Sequence, residues 1–176
     1  MKTEIKKITL SGLFLALCMV LPFLTGQIPQ IGSALAPMHI PVLLCGFVCG
    51  WPYGLAVGFI APLLRFLLFG MPPIFPVGLA MAFELAAYGV ISGILYKLLP
   101  KKTPYLYVSL IVAMLIGRVV WGILRFALVG FASTEFSFGM FLGGAFITAI
   151  PGIVCHILLI PVIVIAMQKA KLIVNG

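Results

Sequence analysis

Few residues in this chain of 176 have the capacity for chemistry, and they are unevenly placed. There are three acids, Glu4, Glu84 and Glu135, and no Asp. Eight of the eleven Lys and Arg lie in three short clusters: Lys2, Lys6 and Lys7; Lys97, Lys101 and Lys102; Lys169 and Lys171. The other three, Arg65, Arg118 and Arg125, are embedded in apolar sequence, as are Glu84, His39 and His156. Charges within an apolar span are costly and usually face an interior or a cavity. Three such Arg against one such Glu leave a formal surplus of two positive charges. A bound carboxylate or phosphate offsets that surplus, and the planar fork of guanidinium donors suits either group.

The same inventory argues against catalysis. Acid–base chemistry on paired carboxylates lacks its second carboxylate. The chain has no G-x-x-x-x-G-K-S/T loop to hydrolyse a nucleotide, no H-E-x-x-H and no G-x-S-x-G. His39 and His156 lie on different apolar stretches and read as hydrogen-bonded packing residues. Cys45 and Cys49 share a helical face, but no second pair completes zinc spacing. With Cys18 and Cys155 they read as small apolar residues. No enzyme, cofactor or metal is expected.

The elements that position these groups are legible in the composition. Apolar residues make up 64% of the chain and charged residues 8%, against about 25% charged in soluble domains. Mean hydropathy is +1.31. Fourteen charged side chains could not cover a soluble globule of this size. The expectation is an all-α integral membrane protein: a six-transmembrane-helix bundle forming one domain over 1–176. The spans read as 8–25, 39–50, 51–69, 76–97, 105–129 and 139–168. With both termini cytoplasmic, all eight clustered basic residues lie inside, and the outward connections hold no Lys or Arg. Six spans therefore satisfy the positive-inside rule. The net charge of +8 is thus a topology signal and not a nucleic-acid footprint, which would be a continuous basic face. Ala34-Leu35-Ala36 superficially resembles a signal-peptide cleavage site, but it lies far beyond the first apolar run, and cleavage would break the charge pattern.

Span directions then give depths. Arg65, Glu84, Arg125 and His39 come from four separate spans and fall in one outer depth zone, with Arg118 nearer the middle. Arg118 and Arg125 are seven residues apart and face almost the same way, with Trp121 between them. Glu84 and Tyr88 are one turn apart. The expected substrate-binding set is His39, Arg65, Glu84, Tyr88, Arg118, Trp121 and Arg125. It should line an outward-opening, mostly apolar pocket, with Gly26, Gln27, Gln30 and Ser33 on one side and Met71-Pro72-Pro73 with Pro76 on another. Arg65 or Arg125 pairing with Glu84 simply to join helices is the plainer reading of either residue.

Small residues at four-residue spacing form a second pattern: Gly12 and Ala16, followed by Val20; Gly46 and Gly50; Gly54 and Gly58; Gly89 and Gly93; Gly139 and Gly143. Such residues let helices approach closely, and a smooth face of this kind also suits a partner helix.

The run Leu10-Ser11-Gly12-Leu13-Phe14-Leu15-Ala16-Leu17 resembles the Ala-x-x-x-Ala face of the substrate-binding S components of energy-coupling factor (ECF) vitamin transporters. Val20 stands where that face has a further small residue. The stretch Pro37-Met38-His39-Ile40-Pro41 through Gly50-Trp51-Pro52-Tyr53-Gly54 is similar to the family's second span and the tight turn after it. The resemblance implies a protein of a prokaryotic plasma membrane that captures a small water-soluble vitamin from outside. It also implies docking through Gly12, Ala16 and Val20 on a transmembrane T component that carries two ATPases. In that family the pocket is lined by the last three spans. The cationic surplus favours an anionic vitamin such as pantothenate, with pyridoxine-type compounds as the alternative and Trp121 and Tyr88 as stacking partners. Two other classes compete: a stand-alone secondary transporter coupled through Glu84 and His156, and a non-transporting membrane scaffold.

Overall fold

The computed structural model describes residues 2–25, 34–130, 143 and 149–175. The described residues are helical, with no strand among them. The helices are α1 (Lys2–Val20), α2 (His39–Cys49), α3 (Trp51–Phe69), α4 (Leu79–Leu98), α5 (Thr103–Gly130) and α6 (Ile150–Lys169). A tight helical turn, Leu21–Thr25, extends α1, and a kinked segment, Ile74–Gly78, in which Phe75 is extended, leads into α4. Five of these segments are long and apolar enough to cross a membrane. The exception is α2, with 11 residues, a length of about 16 Å against a hydrocarbon core of about 30 Å. It survives because its neighbours enclose it: every residue of α2 except Ile40 is buried. Gly26, Gln27, Gln30, Ser33, Glu135 and Gly139, and the first part of the expected span 139–168, lie outside the described residues.

Glycine sets how closely the helices around α2 approach. A Cβ on Gly54 would collide with the backbone of Gly89, and one on Gly89 with that of Gly54, so α3 and α4 cross backbone to backbone. A Cβ on Gly46 would strike Ser92 and Gly89, which brings α2 onto the same crossing. The turn from α2 into α3 needs Gly50, whose φ of 100° disfavours any residue with a Cβ. The spacings 46/50, 54/58 and 89/93 are thus used inside the bundle. Gly12, Ala16 and Val20 differ, because all three are exposed and nothing lies within 4 Å of a Cβ built on Gly12.

Both chain ends meet at one end of the bundle. Lys6 Nζ donates to the Lys171 carbonyl at 3.0 Å, and Tyr53 donates to Glu4 at 2.7 Å. The backbone N–H groups of Val174 and Asn175 both donate to the Val48 carbonyl. Lys101 donates to the Tyr96 carbonyl, and its burial against that residue lowers the pKa of its ammonium group. The three basic clusters therefore gather at this end. At the opposite end α2, α4 and α6 begin. The exposed faces are largely aliphatic; on α5 they include Val108, Ile111, Leu115, Val119, Ile123 and Phe126.

Candidate functional site

Glu84 stands five residues into α4, about 8 Å from its start, and is 2% exposed. An ionised carboxylate at that depth requires compensation from close donors. Three side chains on three helices converge on its Oε1. Tyr88, one turn along α4, donates its hydroxyl at 2.8 Å. Arg118 of α5 brings Nη1 to 3.0 Å. His39, the first residue of α2, has Nε2 at 3.5 Å. The Tyr88 ring reaches this position because residue 117 is glycine; a Cβ there would fall inside the ring.

His156 of α6 completes the cluster. Its ring is nearly parallel to that of His39, with centroids 5.9 Å apart and an interplanar angle of 18°. Tyr88 lies on another side of His39, with ring centroids at 5.2 Å. Gly152 permits this packing, since a Cβ there would strike the backbone of Ala34 and Leu35. Both His39 nitrogens and His156 Nε2 are buried without a hydrogen-bond partner among the described residues. Such groups are rare in native interiors and point to a site that receives something.

Arg118 marks the edge of this cluster. Its side chain is 11% exposed and borders a hollow of about 90 Å³ between α5 and α6. The rest of the lining is aliphatic or thioether: Met114, Ile153 and Ile157, with Ile111 and Leu115 of the exposed α5 face at the side where the hollow opens on the bundle surface. A single guanidinium beside an otherwise apolar wall orients an amphipathic small molecule by its anionic end.

The structure thus brings together His39, Glu84, Tyr88 and Arg118 of the expected set and leaves the other two arginines apart from them. Arg65 does not reach the cluster. Its Nη1 donates to the Met19 carbonyl at 2.8 Å, and its guanidinium packs over Phe23 and Phe69 at 5.4 and 5.2 Å. The last carbonyls of a helix lack intrahelical partners, so Arg65 fills a local need of α1. Neither Arg65 nor Arg125 pairs with Glu84; Arg118 does. Arg125 lies with its guanidinium 5.8 Å from the Trp121 ring, farther along α5. The stacking role expected of Tyr88 gives way to burial, since Tyr88 is 1% exposed. Two residues outside the expected substrate-binding set contribute: His156, which the sequence offers beside Glu84 only for a secondary transporter, and Gly117. The sequence signal for Gly117 was its place beside Arg118 on a face that needs room for a ring.

Among the described residues, apolar helices long enough to cross a membrane enclose a polar cluster drawn from four helices, next to a small hollow. The family model for the ECF transporter substrate-specific component matches residues 6–164. The chain belongs to that family and is a multi-pass transport component. No curated protein and no solved structure matches it.

Proposed function

We propose that this chain captures a small water-soluble vitamin with high affinity, as the S component of an importer in a prokaryotic plasma membrane. It would hold the ligand against Arg118 in the hollow between α5 and α6. The observation that carries this reading is the position of Arg118, with one end of its guanidinium on Glu84 and its side chain along an apolar hollow. A carboxylate-bearing vitamin such as pantothenate fits that wall better than a neutral one. The end with the basic clusters is the cytoplasmic end by the positive-inside rule, which puts the polar cluster in the outer half.

The exposed Gly12, Ala16 and Val20 face of α1 is the docking surface for a T component bearing two ATPases. Two measurements test the pair of claims. A thermal-shift screen of the detergent-purified protein against B vitamins should show one ligand raising the unfolding temperature, because a ligand that binds only the folded state stabilises it. Gly12→Trp should abolish co-purification with co-expressed T component and ATPases while that ligand still binds. Proton-driven uptake by the lone protein in liposomes would instead identify a secondary transporter.

A further inference from the structure

Arg118 already has an anionic partner, and the Glu84–Arg118 pair is charge-balanced. A ligand carboxylate arriving from the hollow would set two carboxylates against one guanidinium inside a medium of low dielectric constant. The resulting net negative charge is strongly disfavoured there.

One neighbour is placed to remove it. His39 Nε2 lies 3.5 Å from the same Glu84 oxygen that Arg118 holds, within ion-pair distance but short of good hydrogen-bond geometry. His39 Nδ1 has no hydrogen-bond partner among the described residues, and the side chain is 4% exposed. Among the described residues, the titratable and charged groups that face this imidazole come from three of the helices around it. They are Glu84 and Tyr88 of α4, Arg118 of α5 and His156 of α6. On α1, Cys18 donates to the Met38 carbonyl next door. On α3, Arg65 is turned away to Met19.

We propose that the ligand is a carboxylate and that its binding takes up one proton, received by His39, whose imidazolium then replaces Arg118 as the main partner of Glu84. The proposal rests on the reading of Arg118 as the group that holds the ligand. Charge balances: the ligand brings one negative charge and the solvent supplies one proton. No covalent bond between heavy atoms forms or breaks. The His39 imidazolium donates Nε2–H to Glu84 Oε1, and the Arg118 guanidinium turns its donors to the ligand carboxylate. His39 does not touch the ligand. It is a positioning residue, acting through Glu84 and Arg118.

The test is isothermal titration calorimetry on the detergent-purified protein, using acids with their neutral counterparts as probes: pantothenate with pantothenol, nicotinate with nicotinamide, and biotin with biotinamide. Each titration is run in two buffers of different ionisation enthalpy, which yields the protons taken up. One acid is expected to bind at least about 100-fold tighter than its neutral counterpart, because a neutral group offers the Arg118 guanidinium no charge to turn to and leaves it on Glu84. About one proton should enter per ligand, so Kd should weaken by up to about tenfold per pH unit as pH rises. His39→Gln should take up no proton and bind the acid at least about tenfold more weakly, as the Glu84 charge is then left uncompensated. Glu84→Gln should bind the acid without proton uptake, and it decides the matter with the wild-type count if His39→Gln fails to fold. Acid binding without proton uptake, or unchanged uptake in His39→Gln, overturns the proposal. Equal binding of a neutral counterpart also overturns it but leaves vitamin capture standing. Failure of every vitamin, acid or neutral, to bind removes both readings.

Discussion

Arg65 and Arg118 both carry a guanidinium into apolar sequence, and the fold houses them in different ways. Arg65 is 5% exposed, bonded to the Met19 carbonyl near the end of α1 and flanked by Phe23 and Phe69. Its partners are a backbone group and two rings, and the Phe23 and Phe69 rings also pack edge to face on each other at 5.1 Å. None of these partners can leave without unpacking α1 from α3. Arg118 instead meets another side chain, Glu84, which has Tyr88 and His39 beside the same oxygen. An ion pair between side chains with alternative partners nearby can be redistributed, whereas a helix-end carbonyl cannot. The comparison shows that an intramembrane arginine's type does not settle its role; its neighbours decide whether it is held by a helix-end carbonyl and two rings or meets a buried carboxylate.

Substitutions sharpen that contrast, beginning with the largest expected effect. Arg118→Ala strands the Glu84 carboxylate, which should cost about 3–5 kcal/mol of stability, and should weaken an anionic vitamin by more than about 100-fold. Calorimetry and thermal unfolding measure the two. Unchanged affinity would erase the distinction between the arginines. Arg118→Met combined with Glu84→Gln should recover most of the stability, since it removes both charges, while affinity stays lost.

Gly117→Val comes next. It drives carbon into the Tyr88 ring and should cost about 1–3 kcal/mol, with weaker ligand binding because Tyr88 no longer anchors Glu84. Arg65→Ala should lower stability by about 1–3 kcal/mol through the lost carbonyl bond and ring contacts, yet leave Kd within about twofold, as its losses lie away from the cluster. A large loss of affinity there would place Arg65 back at the site. The smallest effect belongs to Lys101→Ala at the opposite end of the bundle. Its affinity should match the wild type, and its stability should change by no more than about 1 kcal/mol.

Much of the site was legible before any fold was known. Glu84 and Tyr88 follow from a one-turn spacing, and His39 and Arg118 from being polar within apolar runs. The choice among three arginines was not legible. Depth along a span follows from counting residues, but the direction in which a side chain leaves its helix depends on rotation about the helix axis. That rotation is set by contacts such as Gly54 on Gly89 and Gly117 under Tyr88. Depth alone put Arg65 with Glu84; rotation sent it to Met19. His156 was passed over for a similar reason. It is 117 residues from His39 in sequence, and only the packing of α6 across α2 brings the two rings together.

Hydropathy and charge, summed along the chain, determined by themselves that this is an apolar helical bundle, where its helices run and that its basic residues collect at one end. Those properties need no partner, because the transfer of each span into lipid depends on its own composition. Tertiary structure alone decided that a helix too short to cross the bilayer sits enclosed at the centre. It also decided that Arg118 meets the buried carboxylate and that the His39 imidazole stands 3.5 Å from the same oxygen. These outcomes depend on how close the backbones approach, and that distance is set by pairs of residues on different helices.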